Sequence, residues 1–378
     1  MAKRIGVGFV GAGWMGGVQL KRLGERDDVE VLALVEPNAE RGRAALAAAG
    51  LPTDRLVADY AAIIANPAID AVWLVSPNSF HGAQAIAALE AGKHVFCEKP
   101  AATRFGEFRR EMDLARARPD LITFVDYILH FDTFEQRLRR LVEEGAFGQL
   151  TQVQVNYRHP VNIVGDKTWK LGHTVGGDAV GMGIIHSLYV IVSIMQPQAR
   201  PVGVFATSTP ARVRPFEDDP IWNILVRFDN GATGFCFGNI DSANGYDAYH
   251  SVYGSKGALI FDSLADRPQK VRMWSEGQAG GKWFYPLDPD RCRRDGAADL
   301  AWPADTTTPD SGDVVHHQTA ECVGHFIECV KAGRPSPLGF IESAPVAEVA
   351  WAALQSAASG KEVKLPLDYD AAEKFFSE

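Results

Sequence analysis

Gly8-Phe-Val-Gly-Ala-Gly-Trp-Met-Gly-Gly17 is the stretch on which the reading of this chain turns. Glycines at 11, 13 and 16 spell G-x-G-x-x-G. In a chain with 36 glycines that spacing alone describes a tight turn equally well. The flanking sequence decides between the two. An apolar run, Ile5–Val10, precedes the glycines, a helix is expected over Val18–Gly24, and a second apolar run covers Val29–Val35. Glu36 closes that run 20 residues after Gly16. Strand, glycine turn, helix, strand and acid in this order form the dinucleotide-binding fingerprint. Gly11 permits the turn, Gly13 lets a pyrophosphate approach the backbone, and Gly16 allows helix and strand to pack closely. The phosphate charge then sits at the helix N-terminus, beside Trp14 and Met15. Glu36 accepts from both ribose hydroxyls and repels a 2′-phosphate, which favours NAD over NADP. Arg41 and Arg43 act against that preference.

The bulk properties fit a globular protein. At 378 residues the chain is too long for one ordinary core, and two domains are expected, 1–124 and 125–378. A net charge of −9 argues against nucleic acid and anionic membrane surfaces as main partners, while leaving room for a local basic pocket that takes a phosphate. No apolar run reaches the roughly 18 residues needed to span a bilayer, so no membrane segment is expected. The N-terminus begins a strand rather than a signal peptide. Five scattered cysteines without C-x-x-C spacing predict neither disulfides nor structural zinc, and point to a reducing cytoplasm. Cys322 and Cys329 read as core positions of a helix.

Up to about residue 124, short apolar runs (Arg4–Val10, Val29–Glu36, Ala71–Ser76, Lys93–Glu98, Leu121–Val125) alternate with helical stretches such as Ala39–Ala49 and Ala83–Ala91. This predicts an α/β domain with a parallel sheet covered on both faces. Beyond it the pattern changes. A helix is expected over Phe134–Glu144, then strands over Leu150–Arg158, Ile221–Phe228 and Ala232–Asn239. Asp229-Asn-Gly231 marks a hairpin between the last two. A further hairpin is expected around Gly254-Ser-Lys-Gly257, and apolar helices over Gly181–Met195 and Thr319–Ala332. The second domain is therefore expected to be α+β with a large, mostly antiparallel open sheet. Asp288–Asp313 reads as a surface excursion.

Two loops stand where chemistry is expected, at the carboxyl edge of the first sheet. One is Ser76-Pro-Asn78-Ser-Phe-His81. The other is Glu98-Lys99-Pro100. With these residues in view, the chain resembles the Gfo/Idh/MocA oxidoreductase family, named for glucose–fructose oxidoreductase and inositol dehydrogenase. The resemblance runs through the fingerprint, the Ser-Pro-Asn-x-x-His stretch, Ala88–Val95 leading into Glu98-Lys99-Pro100, Gly145-Ala-Phe-Gly148, Gly176-Gly177 ahead of His186, and the tail Ser356–Pro366.

That resemblance implies an N-terminal Rossmann domain, a second domain carrying the sugar site, and often a homo-oligomer, as a dimer or tetramer. It implies NAD(P)-dependent oxidation of a CH–OH group in a carbohydrate or polyol. Lys99 would steady the reacting oxygen and His186 would act as acid/base. Ser76, Asn78, His81, Glu98 and Lys99 would line the cofactor. Arg158, Asp166, Trp169, Lys170, Met182, His186 and His173 fall where the sugar contacts lie. Departures stand beside them. Met182 and Tyr189 occupy positions where relatives commonly carry aspartate, and His130 one where they usually carry arginine. Asp178 reaches the His186 face only if that helix starts early. A redox-neutral glycosidase with retained NAD and a non-catalytic sensor are the alternatives the family allows. His316-His317 has no matching ligand spacing, and no metal is expected.

Overall fold

The computed structural model describes residues 4–163, 165–243, 245–308 and 318–377, apart from the side chain of Asp166. The fingerprint region forms β1 (Ile5–Val10), α1 (Trp14–Gly24) and β2 (Val29–Val35). The helix thus begins at Trp14, four residues before the position read from sequence. There follow α2 (Ala39–Ala48), β3 (Leu56–Val57), α3 (Tyr60–Ala65), β4 (Ala71–Leu74), α4 (His81–Glu90), β5 (His94–Cys97), α5 (Phe105–Ala117) and β6 (Thr123–Val125). The six strands lie in the order β3-β2-β1-β4-β5-β6, all parallel. The order reverses between β1 and β4, so a crevice opens there at the carboxyl ends of the strands. Every residue of β1 and β4 is buried, because helices cover both faces.

The rest of the chain supplies α6 (Thr133–Glu143), β7 (Leu150–Arg158), α7 (His173–Gly176), α8 (Ile185–Met195), β8 (Pro201–Thr209), β9 (Ile221–Phe228) and β10 (Thr233–Asn239). Then come β11 (His250–Gly254), β12 (Gly257–Phe261), β13 (Val271–Ser275), α9 (Pro289–Asp295), α10 (Thr319–Ala332), α11 (Ala344–Ser359), β14 (Val363–Lys364) and α12 (Tyr369–Ser377). Eight strands form the second sheet, β13-β12-β11-β7-β10-β9-β8-β14, antiparallel except where β7 meets β10. Both expected hairpins are present. Gly231 takes φ +86° in the β9–β10 turn, the region glycine favours.

α8 lies on the inner face of this sheet, seated on two glycines of β10. A Cβ at Gly234 would stand 2.5 Å from Ile191, and one at Gly238 would stand 2.4 Å from Ile184. The helical stretch His173–Met195 has 23 residues and holds an 18-residue window of mean hydropathy 1.6, so among the described residues one stretch does reach membrane-spanning length and apolarity, contrary to the sequence count. Its apolar window is 89% buried inside the fold, where it serves as a core helix.

Late segments return to the first sheet. Phe326 of α10 meets Trp73 edge-on at 5.3 Å and Phe96 at 5.7 Å, closing an aromatic stack of Trp73, Phe96 and Phe124. Val125 donates to the Leu338 carbonyl, and Arg109 of α5 pairs with Asp370 and Glu373 of α12. Residues 288–308 do not form the loose excursion expected. Asp288 caps α9, and Cys292, Ala297 and Trp302 are buried, with Trp302 5.2 Å from Phe134. The remainder of that excursion and His316-His317 lie outside the described residues.

Candidate active site

The glycine loop is shaped for a pyrophosphate. Gly11 takes φ +91°, and a Cβ there would meet the Val75 carbonyl at 2.4 Å. A Cβ at Gly16 would strike the Gly11 carbonyl at 2.2 Å, whereas Gly13 faces open space. The first turn of α1 has neither an acidic side chain nor a capping side chain. Its free N–H groups therefore present the positive end of the helix to the crevice. Trp14 is exposed and Met15 half-buried beside it.

Glu36 lies at the ribose end. Its carboxylate accepts from the N–H of Ala12 (2.9 Å), the N–H of Asn38 (2.9 Å) and Arg41 Nη2 (2.7 Å). Burial by itself raises its pKa. The Arg41 guanidinium and the two N–H groups outweigh that and hold it below the ordinary glutamate value. Arg41 covers Glu36 directly, which gives the counterweight to NAD preference a specific contact.

At the other end of the crevice, the loops after β4 and β5 are pinned together by His81. Its buried ring places Nδ1 2.8 Å from the Pro100 carbonyl and Nε2 2.8 Å from the Ser76 carbonyl. Burial lowers its pKa, and the Lys99 charge adds to that effect. Ser76 Oγ donates to Gln84 (2.7 Å). Asn78 Nδ2 donates to the Gly176 carbonyl (2.8 Å), tying this edge to the segment ahead of α8. Ser76, Asn78 and His81 thus brace the two loops through their side chains.

Lys99 is the centre of the arrangement. Its Nζ donates to the carbonyl of Met182, one turn before His186. Burial pulls its pKa below the ordinary lysine value, against the opposing pull of Glu98 and Asp126. Met182 sits in a single π-turn, Val180–Ile184, that leads into α8; such turns recur at functional sites. Asp178 stands at the start of this turn. Its Oδ1 accepts from the Gly181 N–H (2.8 Å) and caps the turn. His186 is half-buried, its ring 5.9 Å from that of Tyr157. The cavity beside it is lined by Leu129, Asn156, Tyr246 and His250 among others.

Two departures from the family pattern meet each other. His130 Nδ1 lies 2.5 Å from the Tyr189 hydroxyl, and Tyr189 stacks on Tyr127. Burial, with Arg139 and His325, lowers the His130 pKa to about 3. This ring is neutral at physiological pH and is no substitute for an arginine charge.

Sequence reasoning missed a buried polar cluster beneath Lys99. Gln19 Nε2 donates to Glu98 Oε1 and to Asp126 Oδ2, both at 2.9 Å, while Trp73 Nε1 donates to Gln19 Oε1 at 2.6 Å. Burial raises the pKa of both carboxyls, and mutual repulsion raises Asp126 further. Glu98 therefore points into the protein. The legible signals were a glutamine on the buried side of α1 and an acid directly after β6, at the carboxyl edge.

Among the sugar-contact candidates, Lys170 comes close. Burial first, then the charges of Lys99 and Lys167, bring its pKa down to about 8, and its Nζ lies 5.8 Å from the centre of the Trp169 ring. Arg158 is not brought to this group. Alternation along β7 sends Tyr157 inward and Arg158 to the solvent face, where it pairs with Asp247 and covers Phe237. His173 is exposed and bonded to Asp218. The Asp166 side chain lies outside the described residues. Among those residues no His, Cys, Asp and Glu cluster fit for a metal occurs.

Comparison with known proteins identifies the family. Residues 5–127 match the profile of an oxidoreductase family with an NAD-binding Rossmann fold, and residues 136–260 match the GFO/IDH/MocA C-terminal domain. The myo-inositol 2-dehydrogenase of Thermotoga maritima is 26% identical over 282 residues, covering 74% of this chain and 81% of that protein. An inositol 2-dehydrogenase of Corynebacterium glutamicum is 27% identical over 279 residues, covering 74% and 78%. A levoglucosan dehydrogenase, solved with NADH and levoglucosan, superposes with a TM-score of 0.77 at 22% identity, over 97% of this chain and all of that one. An aldose-aldose oxidoreductase from Caulobacter crescentus gives 0.76 at 24%, over 96% of this chain and all of that one. From fingerprint to second sheet, the chain belongs to the Gfo/Idh/MocA family of NAD-binding oxidoreductases.

Proposed function

We propose that this protein is an NAD-dependent dehydrogenase that oxidises a secondary alcohol of a sugar, polyol or sugar derivative. The observation that carries the reading is the bond from Lys99 to the Met182 carbonyl, which holds an ammonium one helical turn from His186 at the mouth of the dinucleotide crevice. Bound NAD supplies the hydride acceptor. Lys99 donates a hydrogen bond to the reacting oxygen and stabilises negative charge as it develops there. His186 takes the hydroxyl proton. Trp169 offers a flat apolar surface to the sugar ring, and Lys170 a donor to its hydroxyls. Glu36 makes NAD the preferred dinucleotide, and NADP the poorer one.

Self-association belongs to the same reading. The solvent face of the second sheet carries Phe205 and the stacked pair Phe235–Phe237, an apolar strip suited to a second copy. So does a reducing compartment such as the cytoplasm, given five buried free cysteines.

The test is NADH absorbance when purified protein meets NAD and a panel of sugars and polyols, with NADP in parallel. Lys99→Ala is expected to lower kcat/KM at least about 100-fold on any substrate found, with NAD still bound. A variant as active as the parent would remove Lys99 from the mechanism.

A further inference from the structure

Trp14 is the first residue of α1 and is 58% exposed, a large apolar side chain left open to solvent. One charged group from the second half of the chain stands over it. Lys167, in the short helical segment Gly165–Leu171, places its Nζ 5.5 Å from the centre of the indole. Lys167 has no carboxylate partner among the described residues, and neither has its neighbour Lys170. An ammonium held against an indole face keeps a fixed position without being neutralised. Beneath it lies the uncapped first turn of α1, free of acidic side chains and opening onto the space before Gly13. A helix terminus and an ammonium, both positive, thus meet at the same indole, with no carboxylate paired to either among the described residues, in a protein of net charge −9.

We infer that Lys167, seated on Trp14, is a clamp from the second half of the molecule on the dinucleotide pyrophosphate. Its ammonium pairs with a phosphate oxygen on the side opposite the glycine loop, so that cofactor binding spans both halves of the chain. The repulsion between Lys167 and Lys170 that helps depress Lys170 is relieved when the phosphate arrives. The inference depends on the dinucleotide fold and not on which alcohol is oxidised.

The experiment is direct titration of the full-length protein with NAD and with ADP-ribose, which keeps the pyrophosphate and lacks nicotinamide. Binding is followed by calorimetry and by tryptophan fluorescence at low and high salt. Lys167→Ala is expected to weaken both ligands about tenfold at low salt and to flatten the salt dependence. Lys167→Arg should restore most of the affinity, which a merely disordered segment would not allow. Trp14→Phe should abolish most of the fluorescence response. Parent-like affinity and salt dependence in Lys167→Ala would overturn the clamp while leaving the NAD-dependent reaction intact. A parent protein that binds neither ligand would overturn both.

Discussion

Lys99 reaches a backbone carbonyl rather than a side chain, and this explains how methionine is accommodated at position 182. The acceptor it needs comes from the π-turn whatever side chain stands there. The charge is another matter. A carboxylate at this position would favour the ammonium form of Lys99, so Met182→Asp is expected to raise the lysine pKa. If the ammonium is the active form, the basic limb of the kcat/KM profile moves upward with it. A limb that stays in place would mean that Lys99 does not set it. His130 gives a second prediction, in stability. Its folded pKa of about 3 lies below the unfolded value of 6.5. Above pH 6.5 both states are neutral; below it the unfolded chain takes up a proton that the folded protein refuses. The stability His130 provides is therefore complete above pH 6.5 and drains away as pH falls toward 3. Urea unfolding of His130→Gln should show a loss of about 1–2 kcal/mol at pH 7.5 that narrows progressively by pH 4.5.

At the scale of elements, α8 is placed by what β10 lacks. Gly238 leaves room for Ile184, where the π-turn joins the helix. Gly238→Ala puts a methyl group into that seat and should cost about 1–3 kcal/mol, read as a lower urea midpoint with unchanged slope. The same elements show which parts of the fold could be read in advance. β7 and β9 fall on the residues expected, as does α10, because each carries one clear period bounded by turn residues. α11 escaped notice because it is alanine-rich and buried on most sides, leaving no polar face to mark a period. α5 escaped for the opposite reason, its apolar positions diluted by Arg109, Arg110 and Asp113. Within the site, glycine spacing and the Glu-Lys-Pro tripeptide were legible because backbone constraints write themselves locally. The Gln19–Glu98–Asp126 cluster was not, since it joins residues 79 and 107 positions apart that only the folded sheet brings together.

Across the whole molecule, covalent order and spatial order diverge. The first sheet is finished by residues near the other end of the chain. Phe326 caps its aromatic stack, the 338–340 segment bonds along β6, and α12 is ion-paired to α5. Residues 1–260, which hold both regions matched by the family profiles, should therefore expose Trp73 and Phe96 when expressed alone. Such a fragment is expected to bind a hydrophobic dye strongly and to unfold without the parent's cooperativity. A soluble fragment with a sharp transition would show that the late helices are dispensable.

The aromatic cap donated by α10 also bears on how such proteins diverge. Recombination that joins the segment forming the first sheet to the remainder of another such chain would import a foreign helix onto the resident nucleotide sheet. The face of Phe326 and the faces of Trp73 and Phe96 have to change in step, so the lineage of the later segments stays tied to that of the nucleotide-binding sheet. On the dehydrogenase reading proposed above, new specificities are then expected to arise by altering loops around Trp169 and Met182, within an inherited pair of halves.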